Sequence, residues 1–157
     1  IITASDKGYA GEREDKSGSV IEEIVTAHEL EVTGKVILPD DRQMLSDQML
    51  NYCHQGIDLI LTTGGTGFSK RDVTPEATAD IIERRADNLT FAMIANSLQY
   101  TPKAMLSRGI AGIRENTLIV NLPGSPKAVR ENLEYAIDAI IHGVKILKGD
   151  DAECARK

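Results

Sequence analysis

The sequence predicts an α/β fold: a three-layer α/β/α domain with a mostly parallel sheet and one antiparallel strand. Three observations predict it. Short apolar runs alternate with amphipathic helical patterns along the chain, the order that sets a parallel sheet between helical layers. The run "DLILTT" is short and continuous, as suits a strand covered on both faces. The segments "GIAGIR" and "TLIVNL" flank Glu115-Asn116 and pair as antiparallel strands, which reverses one strand of the sheet.

Each element has a local reason. "IITA" reads as the first strand. "SVIEEIVTAHEL" follows as a helix, with Ser19 and Glu22 at capping-box spacing and Val20, Ile21, Ile24 and Val25 on one face. "EVTGKVILPD" reads as the second strand. "RQMLSDQMLNYCHQG" is amphipathic, with Met44, Leu45, Met49 and Tyr52 on one side and Gly56 closing it. After "DLILTT", Thr74 is the expected cap of a helix with Pro75 first and Glu76 in its first turn, ending near Arg85. "LTFAMIANSLQ" reads as a helix stopped before Pro102. The last helix takes Ser125 as cap and Pro126 as its first residue. Leu133, Ile137, Ile140, Ile141 and Val144 form its apolar stripe. Crossovers between the parallel strands are expected to be right-handed.

With 157 residues the chain suits one domain, expected over 1–149, followed by a polar tail over 150–157. Trp is absent and aromatics are 4%, so the core must be aliphatic. The net charge of −6 and the lack of a basic stretch argue against a general nucleic-acid binder. No apolar run approaches the roughly 20 residues of a membrane span, and no signal-peptide pattern appears. Cys53 and Cys154 form no metal or disulfide motif, which points to a reducing cytoplasm and to Cys53 as plain packing. His28, His54 and His142 share no spacing, and no Ser/His/Asp nucleophile arrangement is evident.

In an open parallel sheet, ligands bind beyond the carboxyl ends of the strands. Those exits here are Ser5-Asp6, then Pro39-Asp40-Asp41, then Thr62-Thr63-Gly64-Gly65-Thr66-Gly67, and finally Asn121-Leu122-Pro123-Gly124-Ser125. All are small, polar or acidic. Gly64, Gly65 and Gly67 lack a Cβ, so backbone N–H groups there can approach a phosphate, with Thr63 and Thr66 adding hydroxyls. The alternative is a tight strand-to-helix turn with nothing bound. The loop is not a P-loop, because Ser69 or Lys70 stands where the second glycine belongs. Nor is it a dinucleotide fingerprint, whose third glycine would fall at Lys70.

Asp72 follows the glycines. Beside a polyphosphate it needs a cation, and Mg²⁺ takes one or two carboxylates plus phosphate oxygens. Asp40 or Asp41 is the second carboxylate. Taken alone, Asp72 also reads as a salt-bridge partner or a helix-lead acid. Ser125-Pro126 offers a helix N-terminus to an anion, or simply a cap. The loop "REDKSG", 13–18, is long enough to suggest function, or is a solvated charge cluster. Ser107 and Arg108 precede the antiparallel segment; Arg108 either forks onto phosphate or pins a carboxylate in the domain or across a subunit contact.

The stretch "LTTGGTGFSKRDVTPEAT" resembles the molybdopterin adenylyltransferase family, which includes the bacterial Mog-type and MoaB-like proteins and the G domains of gephyrin and its plant counterpart. The resemblance continues in "ASD", "DKSG", "LPDD" and "SLQYTPKAMLSRGIAGIRENTLIVNLPGSPKAV", nearly the whole chain. It implies an α/β/α homotrimer that uses Mg²⁺ and ATP to adenylylate molybdopterin and passes the product to a molybdate-inserting partner. The family's acids match Asp40 and Asp72, as catalytic and metal-holding residues. Its phosphate loop matches Gly64–Gly67, its "SL" element Ser97-Leu98, and "LPGS" Leu122-Pro123-Gly124-Ser125. Asp6, Ser17, Gly18, Thr63, Ser107 and Arg108 complete the expected substrate-binding set. The same likeness admits a catalytically silent molybdopterin-binding scaffold, or an adenylyltransferase serving a tungsten cofactor.

Overall fold

The computed structural model describes residues 1–150; apart from Asp150, the expected polar tail lies outside the described residues. Six strands form one sheet: β1 (Ile2–Ala4), β2 (Val36–Leu38), β3 (Leu59–Thr63), β4 (Arg84–Arg85), β5 (Ala111–Arg114) and β6 (Thr117–Leu122). Their spatial order is β2-β1-β3-β6-β5-β4. The first four of that order are parallel, with Ile60 beside Ile119 and Ile2 beside both Val36 and Thr62. β5 alone runs against its neighbours, pairing antiparallel with both β6 and β4. The expected hairpin turns at Glu115, whose φ of 49° is left-handed.

Strand periodicity sends alternate residues to opposite faces. On one face Leu61, Leu118, Val120 and Leu122 pack with Ile21, Ile24 and Val25 of α2 (Lys16–Ala27), Met93 of α5 (Asp87–Ser97), and Val129, Leu133, Ile137 and Ile140 of α6 (Pro126–Lys148). On the other, Ile2, Ala4, Leu38, Ile60 and Ile119 meet Leu45, Met49 and Cys53 of α3 (Arg42–His54), Ala77 of α4 (Thr74–Ala79), and Ile81. These two cores are the three-layer architecture. A single-turn helix, α1 (Asp6–Tyr9), and a 3-10 turn (Pro102–Leu106) complete the elements. Each fully buried Leu or Ile of the α6 stripe contributes about 1.5–3 kcal/mol of burial. Among the described residues no helix is long and apolar enough to cross a membrane.

Several boundaries differ from expectation. α2 starts at Lys16, capped by Asp15, whose carboxylate accepts the Gly18 N–H (2.8 Å) and the Thr3 hydroxyl (2.8 Å). Ser19 lies inside the helix and its hydroxyl donates to the Asp15 carbonyl. The cap moved because Asp15 has a tertiary partner on β1 that the local motif cannot reveal. Thr74 does not cap α4: it is the first helical residue, and Val73 precedes it without a side-chain bond. The helix stops at Ala79, because the chain beyond it becomes an edge strand. The Glu83 N–H donates to the Ile113 carbonyl and the Ala86 N–H to that of Ala111. On α3, Met44 is exposed, and Ser46 is buried instead with its hydroxyl on the Arg42 and Ala77 carbonyls. The expected long second strand is only Val36–Leu38.

Candidate active site at the carboxyl ends of the parallel strands

Three strand ends meet through bare backbone. Gly64 (φ +86°) and Gly65 (φ +63°) both hold the left-handed conformation that favours glycine. A Cβ on Gly64 would overlap the Ala4 carbonyl oxygen at the end of β1, and one on Gly124 would stand 3.4 Å from the Gly64 Cα. The exits of β1, β3 and β6 are therefore packed main chain to main chain. Two hydroxyls tie them: Thr63 donates to the Pro123 carbonyl (2.7 Å) and Ser17 to that of Gly124 (2.7 Å). Thr62 and Thr78 hydroxyls both accept from the Asn121 side-chain amide, at 3.0 and 2.9 Å.

The acids are arranged on this platform. The Asp6 N–H donates to Asp40 Oδ2 (3.1 Å) and the Asp40 N–H returns the bond to Asp6 Oδ1 (3.0 Å). Arg71 forks onto Asp6 at 2.9 and 2.8 Å. That fork, with the Asp40 amide, holds the Asp6 carboxyl below its ordinary range. Asp40 is shifted the other way: partial burial, then the charges of Asp6 and Asp72, push its carboxyl up. Asp41, the other acid of "PDD", caps α3 by accepting the Met44 N–H at 2.9 Å. Asp72 Oδ2 accepts the Ser69 N–H at 2.9 Å. The Oδ1 atoms of Asp40 and Asp72 have no hydrogen-bond partner among the described residues.

Arg108 holds the loop in place. Its guanidinium donates to the carbonyls of Gly67 and Asp72, both at 2.7 Å, and pairs with Glu76; its backbone N–H donates to the Thr66 carbonyl at 2.8 Å. Of the two uses expected of this residue, pinning a carboxylate within the domain is the one seen.

Two cavities adjoin here. The larger, about 910 Å³, is lined by Ser5, Asp40, Thr63, Gly64, Gly65 and Asp72, by Arg13 of the preceding loop, and by Lys16 and Ser17 at the start of α2. The smaller, about 510 Å³, is lined by Thr66, Gly67, Ser97, Ser107, Pro123 and Asn132, with Met93, Ile94 and Leu106 as its apolar wall and Lys103 and Glu131 as charges. Gly65, Asp72, Gly124 and Ser125 line both. The Ser97 hydroxyl donates to Asn132 Oδ1 at 3.1 Å, and Ser125 caps α6 by accepting the Ala128 N–H at 3.2 Å. A third cavity, about 440 Å³, lies at the opposite end of the sheet and contains none of these residues.

Residues 1–142 match the model of the family described as a probable molybdopterin binding domain. The chain belongs to that family. It is 39% identical to a molybdopterin adenylyltransferase of Helicobacter pylori, across 96% of this chain and 87% of that protein. It is 41% identical to gephyrin of Dictyostelium discoideum across 94% of its own length. The chain spans only 22% of that gephyrin, and 26% of the molybdenum cofactor synthesis protein cinnamon of Drosophila melanogaster. The crystal structure of the molybdopterin biosynthesis enzyme MoaB of Thermus thermophilus superposes with a TM-score of 0.90 at 43% identity, covering 95% of this chain and 94% of that one. A tungsten cofactor synthesizing MoaB of Pyrococcus furiosus superposes at 0.83 with 35% identity, covering 94% and 92%.

For this member of the family, the expected residues gather at one rim. Asp40, Ser17, Thr63, Gly64, Gly65, Asp72, Gly124 and Ser125 line the larger cavity; Thr66, Gly67, Ser97, Ser107 and Pro123 line the smaller. Asp6 stands behind Asp40, the Gly18 amide is taken up by Asp15, and Arg108 underpins the loop. Sequence reasoning missed Asp15, Asn121 and Asn132 as the polar supports beneath the surface. It also missed Arg71 as the partner of Asp6. Only Asp15 left a signal, since Asp-x-x-Gly before an apolar run is itself a cap pattern.

Proposed function

We propose that this domain transfers AMP from ATP to the terminal phosphate of molybdopterin, releasing pyrophosphate, in molybdenum cofactor biosynthesis. The observation that carries the reading is the pair Asp40 and Asp72 at a rim where two cavities share a wall. One cavity is polar and takes the nucleotide phosphates; the other has an apolar wall suited to a pterin ring. Two carboxylates with phosphate oxygens are a donor set that suits Mg²⁺. Among the described residues no group of three or more His, Cys, Asp or Glu is placed to hold a metal, so the remaining positions fall to substrate and water. Asp40 is partly buried and lies near the charges of Asp6 and Asp72, so a cation bound there would offset their mutual repulsion. Bound by Asp40 and Asp72, Mg²⁺ would neutralise phosphate charge and polarise phosphoryl oxygens.

The rest falls to the chain. N–H groups of the 64–67 turn and of the α6 N-terminus bind phosphate oxygens without moving. The molybdopterin phosphate, already ionised, needs no general base; its oxygen attacks the α-phosphorus as the bond to the β-phosphate oxygen breaks. Positioning and charge neutralisation carry such transfers. The domain acts in the cytoplasm as a homotrimer and hands its product to a molybdate-inserting partner. Phe91, Tyr100 and Met105 are exposed apolar side chains that such an assembly could cover.

The test is AMP transfer to molybdopterin with Mg²⁺ and ATP. Asp72→Asn should fold normally yet lose turnover by on the order of 10²–10³, the loss typical of removing one stabilising group. Asp40→Asn should behave alike. Asp41→Ala should cost about 1 kcal/mol as a lost cap and spare turnover. Unchanged turnover in the Asp72 variant would remove Asp72 from the chemistry, and no AMP transfer by the wild type would leave a silent scaffold.

A further inference from the structure

One buried hydroxyl beside the site lacks a partner. Thr74 is fully buried and its Oγ1 has no hydrogen-bond partner. Buried hydroxyls are nearly always paired, because losing water without a replacement bond is costly. Thr74 Oγ1 does not cap α4, and its backbone N–H is already on the Gly65 carbonyl at 3.1 Å. It stands beside Gly65: a Cβ there would overlap Thr74 Oγ1 and stand 3.0 Å from Asp40 Oδ1. The two oxygens thus flank the same bare Cα. One is a donor without an acceptor; the other is a carboxylate oxygen without a donor.

We propose that Thr74 is a positioning residue for Asp40: its hydroxyl donates to Asp40 Oδ1 when nucleotide and cation fill the larger cavity. The inference rests on the adenylyltransferase reading above and deepens it. No side chain at position 65 stands in the way, which gives Gly65 a second use besides its left-handed φ. Carboxylates that hold metals are themselves held by hydrogen bonds, and loss of such a bond weakens affinity or turnover by on the order of 10–100-fold. In the empty protein the same hydroxyl is a liability, so its removal should help the fold while harming the site.

The test compares Thr74→Val, which keeps the shape and removes the hydroxyl, with Thr74→Ser, which keeps the hydroxyl. Without ligands, Thr74→Val should melt at or above the wild-type temperature. Mn²⁺ binding, followed by electron paramagnetic resonance with a non-hydrolysable ATP analogue, should weaken by on the order of tenfold in Thr74→Val and stay near wild type in Thr74→Ser. In the transfer assay kcat should fall alongside, with the KM for molybdopterin unchanged. Wild-type Mn²⁺ affinity in a folded Thr74→Val overturns the proposal. Should that variant not fold, Thr74→Ala replaces it, and equal Mn²⁺ affinity in the Ala and Ser variants overturns it. If the wild type binds Mn²⁺ and nucleotide but transfers no AMP, the catalytic reading fails while the Mn²⁺ comparison still decides the role of Thr74.

Discussion

Two helices start at the site, α4 and α6, and they are held by opposite means. α6 obeys every local rule. Ser125 caps it, Pro126 opens it, Lys145 and Lys148 stand in its last turn, and Gly149 ends it in a left-handed conformation. Its apolar stripe lies in one core. α4 is six residues long, begins without a side-chain cap, and carries buried oxygens on Thr74 and Glu76 that have no partner. It follows two left-handed glycines and is held by Arg108, from a distant part of the chain. The difference teaches where function sits. α6 is fixed by its own cap and apolar stripe, whereas α4, with polar groups left over, is held by contacts from distant parts of the chain.

That contrast can be broken by substitution. The largest stability loss is expected for Gly64→Ala, where a left-handed φ and overlap with the Ala4 carbonyl combine to cost about 3 kcal/mol, read as a lower denaturant midpoint. Arg108→Ala comes next. It strips the 66–76 segment of its distant anchor and leaves the Gly67 and Asp72 carbonyls without that donor, at a cost of about 2 kcal/mol. Amide hydrogen exchange should rise in 66–76 and not in α6; equal protection in both regions would end the idea that Arg108 holds α4. Ser125→Ala should cost about 1 kcal/mol, confined to the first turn of α6, because the stripe still holds the helix.

The smallest effect is electrostatic. Arg71 lowers the Asp6 carboxyl, so their contact contributes stability that is present above the ordinary carboxylate range and lost as pH falls through the lower folded value. Both side chains are exposed, so the effect is slight. Arg71→Ala should flatten the acid side of the melting-temperature profile over that window and leave neutral pH nearly unchanged. A wild-type acid limb in that variant would remove Arg71 as the cause.

The legibility of the chain follows the same line. Ser125, Pro126 and the stripe from Leu133 to Ile140 could be read directly, because capping and periodicity are short-range. Thr74-Pro75-Glu76 shows the same local signals, yet the cap is absent and the helix stops six residues on. There the Ile113 and Ala111 carbonyls of the neighbouring strand compete for the chain, and no local pattern reports them. The acids divide likewise. The spacing of "PDD" alone admits either acid, the resemblance favours Asp40, and folding turns Asp41 to the α3 N-terminus and Asp40 to the cavity.

The alternation of the longer strands and helices, the bare turn at 64–67 and the polar character of each strand exit were set by residue type and spacing alone, since backbone freedom and hydrophobic periodicity act over a few residues. The tertiary structure alone decided that Asp40 lines the cavity while Asp41 caps α3, that Arg108 serves the loop, and that the Thr74 hydroxyl stands across Gly65 from Asp40. Those pairings join segments far apart in the chain, and only the packing of two cores around one sheet brings such segments within hydrogen-bond reach.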